Sequence, residues 1–191
     1  MTVCSLAAVG AFALGATSFA SGSGRDHPED DGIAACSATT TATHDAGDDH
    51  GGDARMASNG ADDAFEGTAG DDHHRGRGGD DELDGARGDD DLCGDDGNDH
   101  IRGGAGDDDL HGGAGDDVVA GGTGRDDVFG EAGDDRLSGG RGHDRLSGGR
   151  GRDHIDSRDG VRDVVTCGAA EDTVRADRAD AVASNCEHVS R

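Results

Sequence analysis

An uninterrupted nonapeptide repeat occupies the middle of the chain and limits the folds that the chain can adopt. Eleven copies follow one another from residue 58 to residue 156, for example GGAGDDDLH and GGAGDDVVA at residues 103–120. Position one and position four are glycine in ten of the eleven copies, and position six is aspartate in all of them. A fixed period of this length is typical of a solenoid, in which each repeat packs only against its neighbours.

The pattern within one copy predicts a turn followed by a short strand. Gly-Gly-x-Gly favours a tight turn, because glycine adopts backbone angles that other residues avoid. The three residues after the position-six aspartate, such as residues 109–111, are predicted to form the strand. If two copies close one coil, the eleven copies make five and a half coils, a rod about 26 Å long at roughly 4.8 Å between strands.

Position eight supplies the apolar side chains that we expect to face the inside of the coil. Ten of its eleven residues are apolar, and His74 is the exception. The column consists of Phe65, His74, Leu83, Leu92, Ile101, Leu110, Val119, Val128, Leu137, Leu146 and Ile155.

Composition indicates that this interior is too thin to order the chain alone. The 191 residues include 37 Gly and four Phe but no Trp or Tyr, and the formal net charge is −26. A chain with high charge and few apolar residues cannot bury enough surface to offset the entropy lost on ordering. The acidic balance also argues against nucleic acid and anionic membranes as partners, because both attract basic surfaces.

The aspartates at position six are the candidate metal ligands. Stacking of coils brings each one close to its counterpart eighteen residues later, and like charges at short range oppose each other unless a cation lies between them. Calcium suits such a site, because it accepts six to eight oxygen ligands in loose geometry, whereas magnesium is stricter and zinc favours Cys and His. Pairing each copy with the copy two further on allows at most nine ions. The candidates are Asp63, Asp72, Asp81, Asp90, Asp99, Asp108, Asp117, Asp126, Asp135, Asp144 and Asp153.

The copies GGAGDDDLH, GGTGRDDVF and GGRGHDRLS closely resemble the haemolysin-type calcium-binding (RTX) nonapeptide. This resemblance implies an all-β fold, a right-handed parallel β-roll that is disordered without calcium and holds ions between adjacent turns. It also implies that the position-six aspartates supply carboxylate ligands. The implied carbonyl ligands are the position-four glycines Gly79, Gly88, Gly97, Gly106, Gly115, Gly124, Gly133, Gly142 and Gly151.

Positions two and five of the nonapeptide need separate expectations. Position two is Arg77, Ala86 and Asp95 in early copies, so we expect weaker or empty sites towards the N-terminus. Position five also carries acids, such as Asp107 and Asp116, which we expect to face solvent.

The N-terminal region is predicted to lie outside the β-roll. Residues 1–20 are apolar and end in a small-x-small sequence at Ser18-Phe19-Ala20, which indicates a secretory signal peptide. A membrane anchor is the alternative, but Gly, Ser and Thr make the segment less apolar than a membrane span. Residues 21–57 are of low complexity and are predicted to form a disordered linker.

Residues 157–191 are predicted to form a C-terminal cap that covers the last strand edge. Val164, Val174 and Val182 continue an apolar spacing of eight to ten residues. We expect Cys167 and Cys186 to form a disulfide that closes the cap, as the oxidising exterior permits. The tail is also similar to the end of small secreted actinobacterial RTX-type proteins. Pairing of Cys36 with Cys93 is possible, although their spacing does not require it.

These patterns together predict a secreted, extracellular protein that binds calcium ions and folds on binding them. The sequence contains no H-E-x-x-H or G-x-S-x-G motif, so we expect no enzyme activity. The alternative function is a calcium-dependent adhesion or matrix module, and a hydrolase is a third hypothesis. We expect no membrane span in the mature chain, and the sequence identifies no protein partner.

Overall fold

The computed structural model describes residues 60–191, which form an all-strand solenoid of about seven turns with fifteen strands. The predicted signal peptide (1–20) and linker (21–57) lie outside the described residues, so their boundaries stay predictions. Within residues 60–191 no helix is long and apolar enough to span a bilayer.

The strands alternate between two parallel sheets along the chain, so that each coil contributes one strand to each sheet. The first sheet holds the odd-numbered strands in chain order: β1 (Ala64–Glu66), β3 (Glu82–Arg87), β5 (His100–Ala105), β7 (Val118–Gly124), β9 (Arg136–Gly142), β11 (His154–Asp156), β13 (Thr173–Arg175) and β15 (His188–Ser190). The second sheet holds the even-numbered strands: β2 (His73–Gly78), β4 (Asp91–Asp96), β6 (Asp109–Ala114), β8 (Asp127–Ala132), β10 (Arg145–Arg150), β12 (Val164–Ala169) and β14 (Ala181–Val182).

Strand pairing in the repeats joins residues eighteen positions apart, so two nonapeptides make one coil as predicted. Leu92 of β4 lies opposite Leu110 of β6, and Ile101 of β5 lies opposite Val119 of β7. The position-eight side chains from both sheets meet inside the coil. From Leu83 to Ile155 each is at most 2 % exposed, and together they form one continuous apolar core.

The strands are longer than the three residues that the sequence pattern predicts. β6, for example, begins at position seven of one copy and continues through position three of the next, Asp109–Ala114. The turn is therefore confined to positions four to six. Gly115 shows why glycine is required in this turn. Its φ is +138°, and a Cβ atom would overlap the carbonyl of Gly97 one coil earlier.

The C-terminal cap continues the solenoid, which explains why there are more turns than the five and a half that the repeats predict. β12 to β15 pair in parallel with the preceding coils. The prediction that Val164 continues the apolar column is wrong. Val164 is 45 % exposed, whereas Val165 is fully buried. The reason is that side chains alternate along a strand, and the inward residue always follows the buried aspartate by two positions.

The predicted disulfide between Cys167 and Cys186 is confirmed. Cys167 is fully buried at the end of the apolar core, and Cys186 packs against the same core. Cys93 is also disulfide-bonded. Cys36, the partner considered above, lies outside the described residues, so that pairing stays a prediction.

Candidate metal site

The position-six aspartates form two rows along the solenoid, one beside each sheet. Each row continues into the C-terminal cap, where Asp163, Asp172 and Asp180 take the same place although the glycine pattern has ended. The first aspartate row contains Asp63, Asp81, Asp99, Asp117, Asp135, Asp153 and Asp172. The second aspartate row contains Asp72, Asp90, Asp108, Asp126, Asp144, Asp163 and Asp180.

From Asp81 onward, one oxygen of each carboxylate is held by the backbone of the preceding coil. The Asp99 N–H donates to Asp117 Oδ1 at 2.8 Å, and the Asp117 N–H donates to Asp135 Oδ1 at 2.9 Å. The second aspartate row repeats this contact, for example from the Asp90 N–H to Asp108 Oδ1 at 2.9 Å. The hydrogen bonds fix the orientation of the carboxylates, so the second oxygen of each points to a defined place.

That second oxygen, Oδ2, is buried and has no hydrogen-bond partner in eleven of these aspartates. A buried carboxylate oxygen without a partner is costly, because it has lost its water without replacing it. Nine of the eleven lie in the repeats and two in the C-terminal cap. They are Asp81, Asp90, Asp99, Asp108, Asp117, Asp126, Asp135, Asp144, Asp153, Asp163 and Asp172.

A glycine at position one leaves the space in which Oδ2 lies. A Cβ atom on Gly112 would overlap Asp117 Oδ2, and it would lie 2.9 Å from the carbonyl oxygen of Gly130 in the next coil. The Asp117 carboxylate and the Gly130 carbonyl therefore border the same point. Position-one carbonyls were not among the metal ligands predicted from the sequence. The signal was the glycine at position one in almost every copy, which indicates a close approach of another part of the backbone.

Two position-four glycines, Gly97 and Gly142, border the other carboxylate oxygen. A Cβ atom on Gly97 would overlap the carbonyl of Gly79 and lie 3.1 Å from Asp99 Oδ1. That oxygen already accepts a backbone hydrogen bond, from the Asp81 N–H. The role of the position-four carbonyls as calcium ligands stays a prediction.

Burial and mutual repulsion make these carboxylates hard to ionise without a cation. Burial, together with the charges of the neighbouring aspartates in the same row, raises the pKa of Asp117 and Asp126 to about 7, against a backbone hydrogen bond that lowers it. Burial also raises the pKa of the remaining members with an unpartnered Oδ2. The value is about 6 for Asp90, Asp99, Asp108, Asp135, Asp153 and Asp163, and the direction is the same for Asp81, Asp144 and Asp172.

The N-terminal members of the rows differ from the others. Asp63 and Asp72 are only half-buried. Asp72 Oδ2 accepts a hydrogen bond from the Thr68 N–H at 2.6 Å, so it lacks the unpartnered oxygen. Beside these two aspartates, His74 stacks on Phe65 with ring centroids 4.2 Å apart, which explains how a histidine is accommodated in the apolar column.

The non-glycine residues at position two do not disturb the register. Arg77, Ala86 and Asp95 adopt positive φ angles of 78°, 70° and 76°, as the glycines of other copies do. Strands β2, β3 and β4 keep their parallel pairing. These substitutions place strain on single residues and leave the aspartate rows aligned.

The position-five acids have a structural role besides facing solvent. Asp107 is exposed, as expected, but its Oδ1 accepts the N–H of Arg125 one coil later at 2.8 Å. Asp89 makes the same contact with the Asp107 N–H at 3.0 Å. The side chain of Asp107 stays exposed at the surface, unlike the side chains of the buried aspartate rows.

The donor set at position six fits a hard divalent cation. It consists of oxygen atoms alone, and calcium accepts carboxylate and carbonyl oxygens at about 2.3–2.6 Å. Among residues 60–191 no group of three His, Cys, Asp or Glu side chains converges as in a side-chain cage. Backbone carbonyls are therefore needed to complete the coordination, and a position-one carbonyl lies beside several of the carboxylates, as Gly130 does beside Asp117.

Comparison with known families identifies the repeat. The RTX calcium-binding nonapeptide repeat matches residues 58–92, 94–128 and 120–155, which together make up just over half of the chain. No curated protein matches the chain. RTX nonapeptide repeats bind calcium ions, and the oxygen-only donor set of the aspartate rows fits this hard cation. The chain belongs to the RTX calcium-binding nonapeptide repeat family.

Proposed function

We propose that this protein is an exported calcium-binding β-roll that becomes ordered when it binds calcium and that has no catalytic activity. The observation that carries the proposal is the set of buried, unpartnered Oδ2 atoms in the two aspartate rows. A divalent cation between coils supplies the partner that each of these oxygens lacks. Position-six aspartates are the carboxylate ligands in this proposal, with glycine carbonyls from positions one and four completing the site.

Coupling of folding to calcium follows from the arrangement of the charges. Each repeat from residue 76 onward buries one position-eight apolar side chain and one position-six carboxylate, and the carboxylates of a row repel one another while they are ionised. Binding of a cation to the folded state alone stabilises that state in proportion to the logarithm of the calcium concentration. Ordering therefore depends on calcium at neutral pH.

Export is supported by the disulfide between Cys167 and Cys186, because disulfides persist mainly in oxidising compartments. RTX repeats are also typical of secreted proteins. Calcium is abundant outside cells, so a chain that folds on binding it becomes ordered after it has been released.

The absence of catalysis is supported by where the carboxylates lie. Every aspartate with an unpartnered Oδ2 is at most 2 % exposed, so no substrate reaches it. Its other oxygen is committed to the backbone of a neighbouring coil. A panel of protease and esterase substrates tests this part of the proposal, and turnover by the purified chain would contradict it.

Circular dichroism of the purified chain tests the folding proposal. We expect a disordered spectrum in EDTA, a β spectrum in millimolar calcium, and full reversal when EDTA is added in excess. Magnesium at the same concentration is the control, and we expect a weaker response because magnesium tolerates the turn carbonyls less well. A chain that stays compact and β-rich after exhaustive chelation would contradict the proposal.

A further inference from the structure

The C-terminal cap contains degenerate copies of the repeat that the family match does not include. The match ends at residue 155, but strand pairing continues from Leu146 to Val165 and from Ile155 to Val174. These partners are nineteen residues apart because one residue is inserted near Gly160. The following segment, Cys167 to Arg175, is again nine residues long, with Asp at position six and Val at position eight.

Asp163 and Asp172 repeat the geometry of the aspartate rows inside this cap. Asp163 Oδ1 accepts the Asp144 N–H at 2.9 Å, and Asp172 Oδ1 accepts the Asp153 N–H at 2.8 Å. The two side chains are 1 % and 0 % exposed. In both residues Oδ2 is buried without a hydrogen-bond partner, as it is in the repeats.

The next aspartate in the cap differs, which shows that an unpartnered Oδ2 is not a general property of the rows. Asp180 Oδ2 accepts the Ser157 hydroxyl at 2.9 Å and the Asp177 N–H at 2.6 Å. The first aspartate row ends differently, because Glu187 takes the place of a further aspartate and accepts the Asp172 N–H at 3.1 Å. The chain thus supplies its own partners at the end of the rod, but not at Asp163 and Asp172.

The surroundings of these two carboxylates are acidic. Asp144, Asp159 and Asp180 lie around Asp163, and their negative charges add to the effect of burial in raising its pKa. Glu187 has the same effect on Asp172. A carbonyl is also in place between the repeats and the cap, since a Cβ atom on Gly148 would lie 2.6 Å from the Cys167 carbonyl oxygen, beside Asp153 Oδ2.

We propose that the C-terminal cap holds two further calcium ions, one at Asp163 and one at Asp172, outside the recognised repeats. This inference rests on the proposed function, and it adds one calcium ion at the C-terminal end of each aspartate row. The ions join the cap to the last repeats, so that calcium and the Cys167–Cys186 disulfide together close the end of the rod. Ser157 and Cys167 carry side chains at position one of the cap copies, where the repeats have glycine, yet Asp163 and Asp172 are still buried with Oδ2 unpartnered.

Calcium stoichiometry of the full chain tests the inference. Asp163→Asn and Asp172→Asn keep the Oδ1 acceptor but replace Oδ2 by an amide nitrogen that cannot bind calcium. We expect each variant to bind one ion fewer than the wild-type chain by native mass spectrometry, and the double variant two fewer. Glu171→Gln is the matched control, because it removes an exposed charge next to Asp172 and leaves the count unchanged.

Crystals of the wild-type chain grown with terbium in place of calcium give a second measurement that needs no substitution. We expect anomalous peaks beside Asp163 and Asp172 as well as along the repeats. Peaks along the repeats with none in the cap, or an unchanged ion count in the double variant, would overturn the inference and leave the proposed function intact. A wild-type chain without bound ions would overturn the proposed function itself.

Discussion

Asp117 Oδ1 accepts the backbone N–H of Asp99 at 2.8 Å, whereas Asp117 Oδ2, on the same carboxylate, is buried without a partner. In the proposed function the carboxylate thus connects the backbone of one coil to a calcium ion beside it. Because the same contact recurs along both rows, an ion that orients one carboxylate also orders the backbone that positions the next. This arrangement predicts cooperative calcium binding.

Loss of two position-six carboxylates should reduce both the number of ions and the cooperativity. Asp108→Asn combined with Asp126→Asn removes two Oδ2 atoms that lie one coil apart, and we expect about two fewer ions per chain and a lower Hill coefficient by calorimetric titration. Asp107→Asn is the control, because Asp107 is exposed and surface substitutions change stability by only about 0.5 kcal/mol. Equal effects of the two changes would contradict the assignment of position six.

Substitution of a position-one glycine should destabilise the folded protein. In Gly112→Ala the new methyl group overlaps Asp117 Oδ2. Such overpacking lowers the free energy of unfolding by about 1–3 kcal/mol. We expect a lower melting temperature in saturating calcium and weaker calcium binding. Gly70→Ala serves as the comparison, since nothing lies within 4 Å of a Cβ atom there; a melting temperature equally lowered by Gly70→Ala would count against the steric argument.

Order in the absence of calcium should increase as the pH falls. Burial raises the pKa of Asp117 and Asp126 to about 7 in the folded state, from an ordinary value of 3.8. A raised folded-state pKa means that protonation favours folding, so this contribution is complete below pH 3.8 and is lost as the pH rises through about 7. Circular dichroism in EDTA should therefore show more β-structure at pH 4 than at pH 8.

Protons and calcium should also compete for the same carboxylates. The calcium concentration at the midpoint of folding is therefore expected to be higher at pH 5.5 than at pH 8. A midpoint that does not change with pH would show that the buried aspartates are not the groups that calcium binds.

Removal of the cap disulfide should lower stability without removing calcium binding by the repeats. The Cys167–Cys186 bond closes a loop of nineteen residues, for which the chain-entropy model gives about 3 kcal/mol. We expect the Cys167→Ser, Cys186→Ser double variant to unfold at lower denaturant concentration in saturating calcium. An unchanged midpoint would indicate that calcium alone holds the cap in place.

Several features of the fold were predictable because each depends on one residue type at a fixed spacing. The inward column of position eight and the stacking of the position-six aspartates follow from the nine-residue period once two copies are taken to close one coil. The strand length was not predictable in the same way. Glycine at positions one and two suggests a turn, but Gly112 and Gly113 lie within β6 because the neighbouring coil pairs with their backbone.

The cap shows the same distinction between local pattern and three-dimensional position. Val164 and Val165 are both apolar, and the residue inserted near Gly160 moves the inward position from Val164 to Val165. Asp163 and Asp172 lack the glycine context that identifies the repeats. Their place in the aspartate rows became visible only when the hydrogen bonds from Asp144 and Asp153 were known.

The amino-acid sequence by itself determined the period, the inward apolar column, the recurring carboxylate and the family, because these are properties of residue type and spacing. Tertiary structure decided which carboxylate oxygen is left without a partner, which carbonyl lies beside it and where the rows end. Those features depend on contacts between residues eighteen or nineteen positions apart, whose geometry is set only when one coil stacks on the next.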